Sequence, residues 1–408
     1  MSFNRIASNT LYETNIAQLL RRQVELIATQ NQIASGRRVN TGADDPLAAG
    51  AAVAIDRSLA EFARFELNAN VLANRLNLQE SNLAQAGDLL QRIRELTIQA
   101  ANAPLSSSDR ASVAREIRQL RDSLLGIANS TDAAGRYLFG GSQDDRPPFV
   151  DNAPSGVLYV GDQVQRRVDV APALALADAE PGSEVWMRIP TGDGRVRVAA
   201  DPANTGTGLL GTFGVVDAAL WAAGGNAGYR VFFTSPTTYE IQDAGGAPLI
   251  PPQTGTYSPG ATLSFEGLQL RLQGQPATGD VFTIDPANRQ DLFATLDALV
   301  AALETPATTP VERTRQQNAI FVALANISTA QDHFVDKRAA GGARLSGLDE
   351  AAALREATTV TLKTTLADLR DVNIAEAASR LAQQSTALDA AQLSFQRVAS
   401  LSLFNYLR

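Results

Sequence analysis

Two adjacent carboxylates, Asp44 and Asp45, are the residues in this sequence whose type and spacing most suggest a metal site. No further ligand lies nearby in the sequence. Pro46 offers a simpler interpretation, because proline suits the first position of a helix and aspartate suits the N-cap before it. Asp44 would add negative charge where the helix dipole favours it. We therefore predict a helix start here and no metal.

A second candidate is the run from Gly206 to Gly211, which matches the letters GxGxxG. A dinucleotide site needs a buried strand directly before the glycines and a helix that begins within them. A polar loop (201–205) precedes this run, and a β-like segment (212–216) follows it. The pattern therefore predicts no nucleotide cofactor.

His333 is the only histidine, on a helix expected from about Pro310 to Arg338. With no cysteine and no facing acid, we expect a surface residue rather than a catalytic base. A zinc protease would need His-Glu-x-x-His, and no Gly-x-Ser-x-Gly elbow occurs. We predict that the protein is not an enzyme and carries no catalytic residue, cofactor or metal.

The composition narrows the function further. The 408 residues are 45% hydrophobic and 19% charged, which indicates a folded protein. A net charge of −8 argues against a nucleic-acid binder, and the lack of cysteine excludes thiol chemistry, disulfides and Cys-ligated zinc. No apolar run is long enough to span a membrane. The first six residues lack the apolar core of a secretory signal, which by itself predicts a cytoplasmic protein.

The elements around these residues are long helices with apolar heptad rows. The last helix carries one row and the first helix another, each of which needs a partner to be stable. We predict that these helices pair with each other and with neighbouring subunits. The candidate assembly residues are Tyr12, Leu19, Leu26, Ile33, Ile374, Leu381, Leu388, Phe395, Leu401 and Leu403. The alternative is an amphipathic helix packed on its own domain.

A third heptad row follows Pro46, and the next helix is capped by the serines at 106–108. Ala69, Leu76, Leu83 and Leu90 would face Leu72, Ala86, Ile93 and Ala100. The apolar face of the next helix would comprise Val113, Ile117, Leu120, Leu124 and Ile127.

Between the helical arms, glycine and proline become frequent and the apolar pattern alternates, which is typical of strands. Strands are expected at 229–234, 238–241, 263–265, 268–272 and 281–284. The fold class is mainly α, with coiled-coil-like terminal helices, a helical rod and a middle antiparallel β domain. We divide it into an N-terminal arm (1–146; terminal helix about 1–45, rod about 46–135), a middle domain (147–286) and a C-terminal arm (287–408; rod about 287–368, terminal helix about 369–408). Whether the middle is one domain or two stays open.

Several short motifs, in order along the chain, resemble the bacterial flagellin family and its hook-associated branch. They are SGRRVN at 35–40, DDP at 44–46, RYLFGG at 136–141, YVGD at 159–162, AAGGARL at 339–345 and the terminal LSLFNYL at 401–407. The motif loop of this resemblance comprises Gly36, Arg38, Asn40, Asp44, Asp45 and Pro46.

The resemblance implies a structural protein that joins the flagellar hook to the filament. Its implied partners are itself in a ring-like oligomer, hook-associated protein 1, flagellin and an export chaperone at the C-terminus, with no nucleic acid and no membrane insertion. It implies an extracellular location reached through the flagellar type III apparatus, without a cleaved signal. Two alternatives stay open: flagellin itself, or a scaffold whose β domain binds glycans or has enzymatic activity.

Overall fold

Side-chain caps start several helices, and the sequence predicts the one at the serines 106–108. A computed structural model describes residues 3–102, 106–152 and 155–404. Ser106 forms a capping box with Asp109, and Asp291 caps another helix through the backbone N–H of Ala294. The helices are α1 (Phe3–Ser35), α2 (Pro46–Asn102), α3 (Ser107–Ala128), α4 (Ala218–Ala223), α5 (Leu292–Glu304), α6 (Pro310–Arg370) and α7 (Ile374–Phe404).

The chain contains two compact units. The first comprises Met1–Leu67 together with Glu350–Arg408, and the second comprises Asn68–Asp349. The second unit holds helical segments as well as the whole predicted middle domain. The division into two arms and a middle domain therefore stays a proposal about the chain's organisation.

The helical core of the second unit uses the predicted heptad row of α2. Every residue of that row from Ala69 to Ala100 is buried, with Leu90 and Ile93 at 0% exposure. The α3 face packs into the same core, where Ile117 and Leu124 are also fully buried. Apolar residues of α5 and α6 complete it. The period-seven pattern thus predicted which faces are buried.

The helix predicted to end near Arg338 continues to Arg370. Gly341 and Gly342 lie inside α6, and a Cβ at either position would meet nothing within 4 Å. Their cost in a helix is moderate, and the alanines, leucine and arginine around them are strong helix formers. The helix propensity of the flanking residues therefore outweighs the cost of the two glycines.

All five predicted strands are present, and the middle of the chain holds further ones, of which β10 is the longest. The strands are β1 (Phe149–Asp151), β2 (Val157–Tyr159), β3 (Arg167–Ala171), β4 (Leu174–Ala177), β5 (Ile189–Pro190), β6 (Val196–Ala200), β7 (Leu209–Val215), β8 (Tyr229–Ser235), β9 (Thr238–Asp243), β10 (Pro248–Thr256), β11 (Thr262–Phe265), β12 (Leu268–Gln273), β13 (Val281–Pro286) and β14 (Arg289–Gln290). A single π-helical turn spans Ser183–Met187.

Two antiparallel sheets share one core in the β region. One has the order β10-β9-β8-β13-β6, and the other has the order β11-β12-β7. Their buried faces meet in a cluster that runs from Val196 to Ile284. The segment 149–189 packs differently, because Phe149, Trp186 and Ile189 belong to the helical core. The predicted middle region therefore contains one β core and a preceding segment that covers the helices.

Candidate assembly surface

The first and last helices lie against each other within the first unit. The rings of Tyr12 on α1 and Phe395 on α7 have centroids 5.2 Å apart. Further along the pair, Arg22 Nη1 donates to the carbonyl oxygen of Ala387 at 3.5 Å. The predicted pairing of the two chain ends therefore exists within one chain.

The predicted seam residues are only partly covered by this pairing. Tyr12 remains 49% exposed and Ile374 61% exposed. The remaining described members are half-buried: Leu19, Leu26, Ile33, Leu381, Leu388 and Phe395. Leu401 and Leu403 lie outside the residues whose side chains the structure describes. Two helices alone thus leave much of this apolar surface in water, so a partner could still add to its burial.

A second apolar row on α1 was only partly anticipated from the sequence. Leu20, Val24 and Ile27 are 57%, 66% and 46% exposed. Their i, i+4, i+7 spacing places them on one face of the helix. Leu20 and Ile27 each directly follow a predicted seam residue, Leu19 and Leu26, whereas Val24 was not predicted. The spacing itself was the signal that could have found it.

The motif loop between α1 and α2 is tied to the turn between α6 and α7. Gly36 has φ +68°, which suits its place just after α1. The backbone N–H groups of Arg38 and Val39 both donate to the carbonyl oxygen of Arg370, and Val372 N–H donates to that of Gly36. The Arg38 guanidinium donates to the Leu369 carbonyl oxygen at 2.7 Å. The motif loop is therefore held by hydrogen bonds to residues that lie more than three hundred positions away in the sequence.

The two carboxylates of this loop have separate structural tasks. Ala48 N–H donates to Asp45 Oδ1 at 3.0 Å, so Asp45 caps α2 as predicted, and this bond holds the pKa of the carboxyl below its usual value. Asp44 instead accepts from Asn40 N–H and from Thr41 N–H and Oγ1. Its pKa is lowered mainly by the bond from the Thr41 N–H. Asp44 thus closes the loop rather than acting chiefly on the helix dipole.

The remaining chemical candidates also have structural tasks. Across the described residues, no three His, Cys, Asp or Glu side chains are grouped to hold a metal ion. In the GxGxxG run, Gly211 lies inside β7 and Gly206 N–H donates to the carboxylate of Asp280 at 3.1 Å. No helix begins there, so the run cannot present a helix N-terminus to a pyrophosphate.

His333 is less exposed than predicted. It is half-buried, with its ring nitrogen Nε2 2.9 Å from the Glu184 carbonyl oxygen. Burial lowers its pKa. The contact holds the π-helical turn against α6.

Two of the motifs that carry the resemblance, at 136–141 and 159–162, are in tight contact with each other. Tyr159 Oη donates to the carbonyl oxygens of Phe139 and Asp162, at 3.1 and 2.7 Å. The carboxylate of Asp162 accepts from Ser142 N–H, Ser142 Oγ and Val164 N–H. A Cβ on Gly141 would lie 2.2 Å from Asp162 Oδ1. The motifs at 136–141 and 159–162 thus pack on each other, a contact the sequence did not show.

The described helices include none that is long and apolar enough to cross a membrane. The architecture defines a class: a protein whose first and last helices pair while a helical region and a β domain occupy the middle of the chain.

Comparison with known proteins identifies the class. The profile of the bacterial flagellin N-terminal helical region matches residues 6–144. The chain is 45% identical to Xanthomonas campestris FlgL, with a TM-score of 0.70 over 77% of this chain and 99% of that one. It is 30% identical to the flagellar junction protein FlgL from Legionella pneumophila, with a TM-score of 0.70 over 79% and 100%.

Flagellar hook-associated protein 3 of Salmonella typhimurium is 32% identical over 45% of this chain and 57% of its own length. The match therefore spans somewhat more than half of that curated relative. The chain belongs to the flagellin family, in the branch of flagellar hook-associated protein 3.

Proposed function

We propose that this protein is a structural subunit that joins the flagellar hook to the filament. Family membership supports this, together with the relatives named as hook-associated and junction proteins. The observation that carries the proposal is the α1–α7 pair, whose seam is only half covered and whose second row is exposed. A pair of this kind is suited to pack against further copies of itself.

The assembly would bury the apolar rows of α1 and α7 between copies in a ring-like homo-oligomer. Full burial of a large apolar side chain contributes roughly 1.5–3 kcal/mol. The exposed row Leu20, Val24 and Ile27 offers such a gain to each copy, in addition to the seam. Enough of these gains could offset the loss of translational and rotational freedom on association.

In this role the protein would contact hook-associated protein 1 on one side and flagellin on the other, with an export chaperone on its C-terminal helix. It would reach the flagellum through the type III export apparatus and act without catalysis. The three-part organisation at 1–146, 147–286 and 287–408 would place assembly in the arms and leave the β domain facing solvent.

The experiment replaces Leu381, Leu388 and Phe395 together with Gln in a strain whose own copy is deleted. Gln favours helix about as well as Leu, so helix propensity is largely kept. We expect normal export, loss of filaments and release of flagellin into the medium. Gln383→Ala, at an exposed position on the same helix, is the matched control and should leave filaments intact.

Chain stability separates folding from assembly in this test. Because the three side chains are already half-buried on the chain's own α1, the triple variant should loosen the helix pair in the monomer. The second unit should unfold as in the wild type. A triple variant that is exported and still builds filaments would show that the seam is not the assembly surface.

Flagellin is the second candidate, because the profile at residues 6–144 is that of flagellin's N-terminal region. A reconstitution assay separates the two. A filament subunit polymerises alone into long filaments, whereas a junction subunit does not.

A further inference from the structure

A cleft of about 430 Å³ lies between the end of β6 and one face of α6, within the second unit. Its volume falls in the range of sites that bind small molecules. Its walls include Ala199 and Ala200 of β6 and Ala319, Val322 and Ala323 of α6. Short apolar side chains of this kind leave room for an aliphatic group and give it an apolar surface to bury against.

Two asparagines of α6 line this cleft, and only one of them has its amide fully bonded. Asn318 Oδ1 accepts from Leu210 N–H at 2.8 Å, and Asn318 Nδ2 donates to the Gly208 carbonyl oxygen at 3.0 Å. Asn326 is 9% exposed, and its Oδ1 accepts from Gly192 N–H at 2.7 Å. That bond fixes which end of the amide is the nitrogen, and among the described residues no acceptor meets Nδ2. The cleft therefore contains a free hydrogen-bond donor on a side chain that is nine-tenths buried, a group that a ligand atom would satisfy.

Two further polar side chains lie at the Asn326 end of the cleft. Gln290, Thr295 and Asn326 also line a small neighbouring cavity, so the three side chains lie close together. Gln290 is half-buried, and its side-chain amide has no hydrogen-bond partner in the part of the chain that the structure describes. Thr295 Oγ1 donates to the Asp291 carbonyl oxygen at 3.2 Å, which leaves its lone pairs able to accept. This end therefore offers a donor at Asn326 and acceptors at Gln290 and Thr295.

The ionisable side chains that line the cleft, Arg315 and Asp201, lie at its other end. Arg315 is three turns of α6, or roughly 16 Å, from Asn326, and its Nη2 donates to the Asn204 carbonyl oxygen at 2.9 Å. Asp201 lies beside the same loop, because Asn204 N–H donates to its carbonyl oxygen at 3.0 Å. A charged group placed at the Asn326 end would lose its water without gaining a counterion. That end therefore favours an uncharged polar group.

We propose that this cleft binds a small uncharged ligand with an amide head group and an aliphatic chain. The carbonyl oxygen of the amide accepts from Asn326 Nδ2, and its N–H group donates to Thr295 Oγ1 or Gln290 Oε1. The aliphatic chain lies along the alanines of α6, where it is removed from water. The inference goes beyond the proposed function. Its residues lie outside α1 and α7, so either idea can fail while the other stands.

Binding of hexanamide to the purified full-length chain, followed by saturation-transfer NMR, tests the site. Hexanamide carries the amide head on an aliphatic chain, whereas hexanoate carries a carboxylate on the same chain. We expect hexanamide to bind with a roughly millimolar Kd, which is ordinary for a ligand of its size. Hexanoate should bind at least tenfold more weakly.

Two variants separate the head group from the cleft itself. Asn326→Asp keeps an acceptor for the Gly192 N–H and removes the free donor. Ala319→Leu, at an exposed position, fills the cleft and leaves the amide in place. Each variant should weaken hexanamide binding at least tenfold. Gln317→Leu, at an exposed position of α6 outside the cleft, is the matched control and should change binding less than twofold.

Urea unfolding followed by tryptophan fluorescence checks that each variant is folded, and Ala319→Leu decides alone if Asn326→Asp does not fold. A wild-type chain that binds no hexanamide, or that binds hexanoate equally well, would overturn the inference. Hexanamide binding that persists in either folded variant would overturn it as well.

Discussion

Replacing Gly141 with Ala tests whether the tight contact between Gly141 and Asp162 stabilises the fold. Gly141 has φ +70°, and the added Cβ would lie 2.2 Å from Asp162 Oδ1 and 2.6 Å from the Asp162 carbonyl oxygen. The left-handed backbone alone costs an alanine roughly 1–2 kcal/mol. Moving Asp162 would also break bonds from Ser142 and Val164. Losing two of them, at about 0.5–1.5 kcal/mol each, adds about 1–3 kcal/mol.

Gly135 provides the matched control, because its φ is +75° and a Cβ there would meet nothing within 4 Å. Gly135→Ala should lose only the stability that the left-handed backbone costs an alanine. Both tryptophans, Trp186 and Trp221, lie in the second unit. Urea unfolding followed by tryptophan fluorescence therefore reports on the unit that contains Gly141 and Asp162. Equal losses of stability in the two variants would refute the steric argument.

Three further predictions concern a helix cap, the histidine and the glycine pair of α6. Asp45→Ala should destabilise the start of α2, whereas Asp45→Asn should keep most of the cap. Because the pKa of Asp45 is lowered, the carboxylate's contribution to stability is present above the ordinary carboxyl pKa and is lost as the pH falls through the lowered pKa. Circular dichroism across acid pH would detect this loss. Because burial lowers the pKa of His333, protonation of its ring favours the unfolded chain. The stability of the second unit should therefore fall as the pH drops below about 6.5. His333→Gln should flatten the plot of stability against pH in this range, measured by tryptophan fluorescence. Gly341→Ala with Gly342→Ala should raise the stability of α6 by roughly 0.5–1 kcal/mol per site, measured by hydrogen exchange, since neither Cβ meets another atom.

The sequence predicted those parts of the fold that rest on periodicity and caps. The buried row of α2, the capping box at Ser106 and the helix start at Asp45 all follow local rules that need no knowledge of the partner. The five strands likewise follow from alternating apolar residues.

What the sequence could not provide depends on contacts between distant residues. The bonds from Arg38 and Val39 to Arg370 join positions more than three hundred residues apart. The segment 149–189 lies within the region predicted as the β domain, yet Trp186 packs on Phe293 and Phe334 of the helices. For the candidate surface, the heptads predicted that α1 and α7 pair, but not how much of each row stays exposed.

The position of the protein in the flagellum tests the central claim most directly. Detached flagella labelled with a gold-conjugated antibody against the β domain can be imaged by electron microscopy. A junction subunit predicts label in one narrow band where the hook meets the filament. Label spread along the whole filament would contradict the account and indicate a filament subunit.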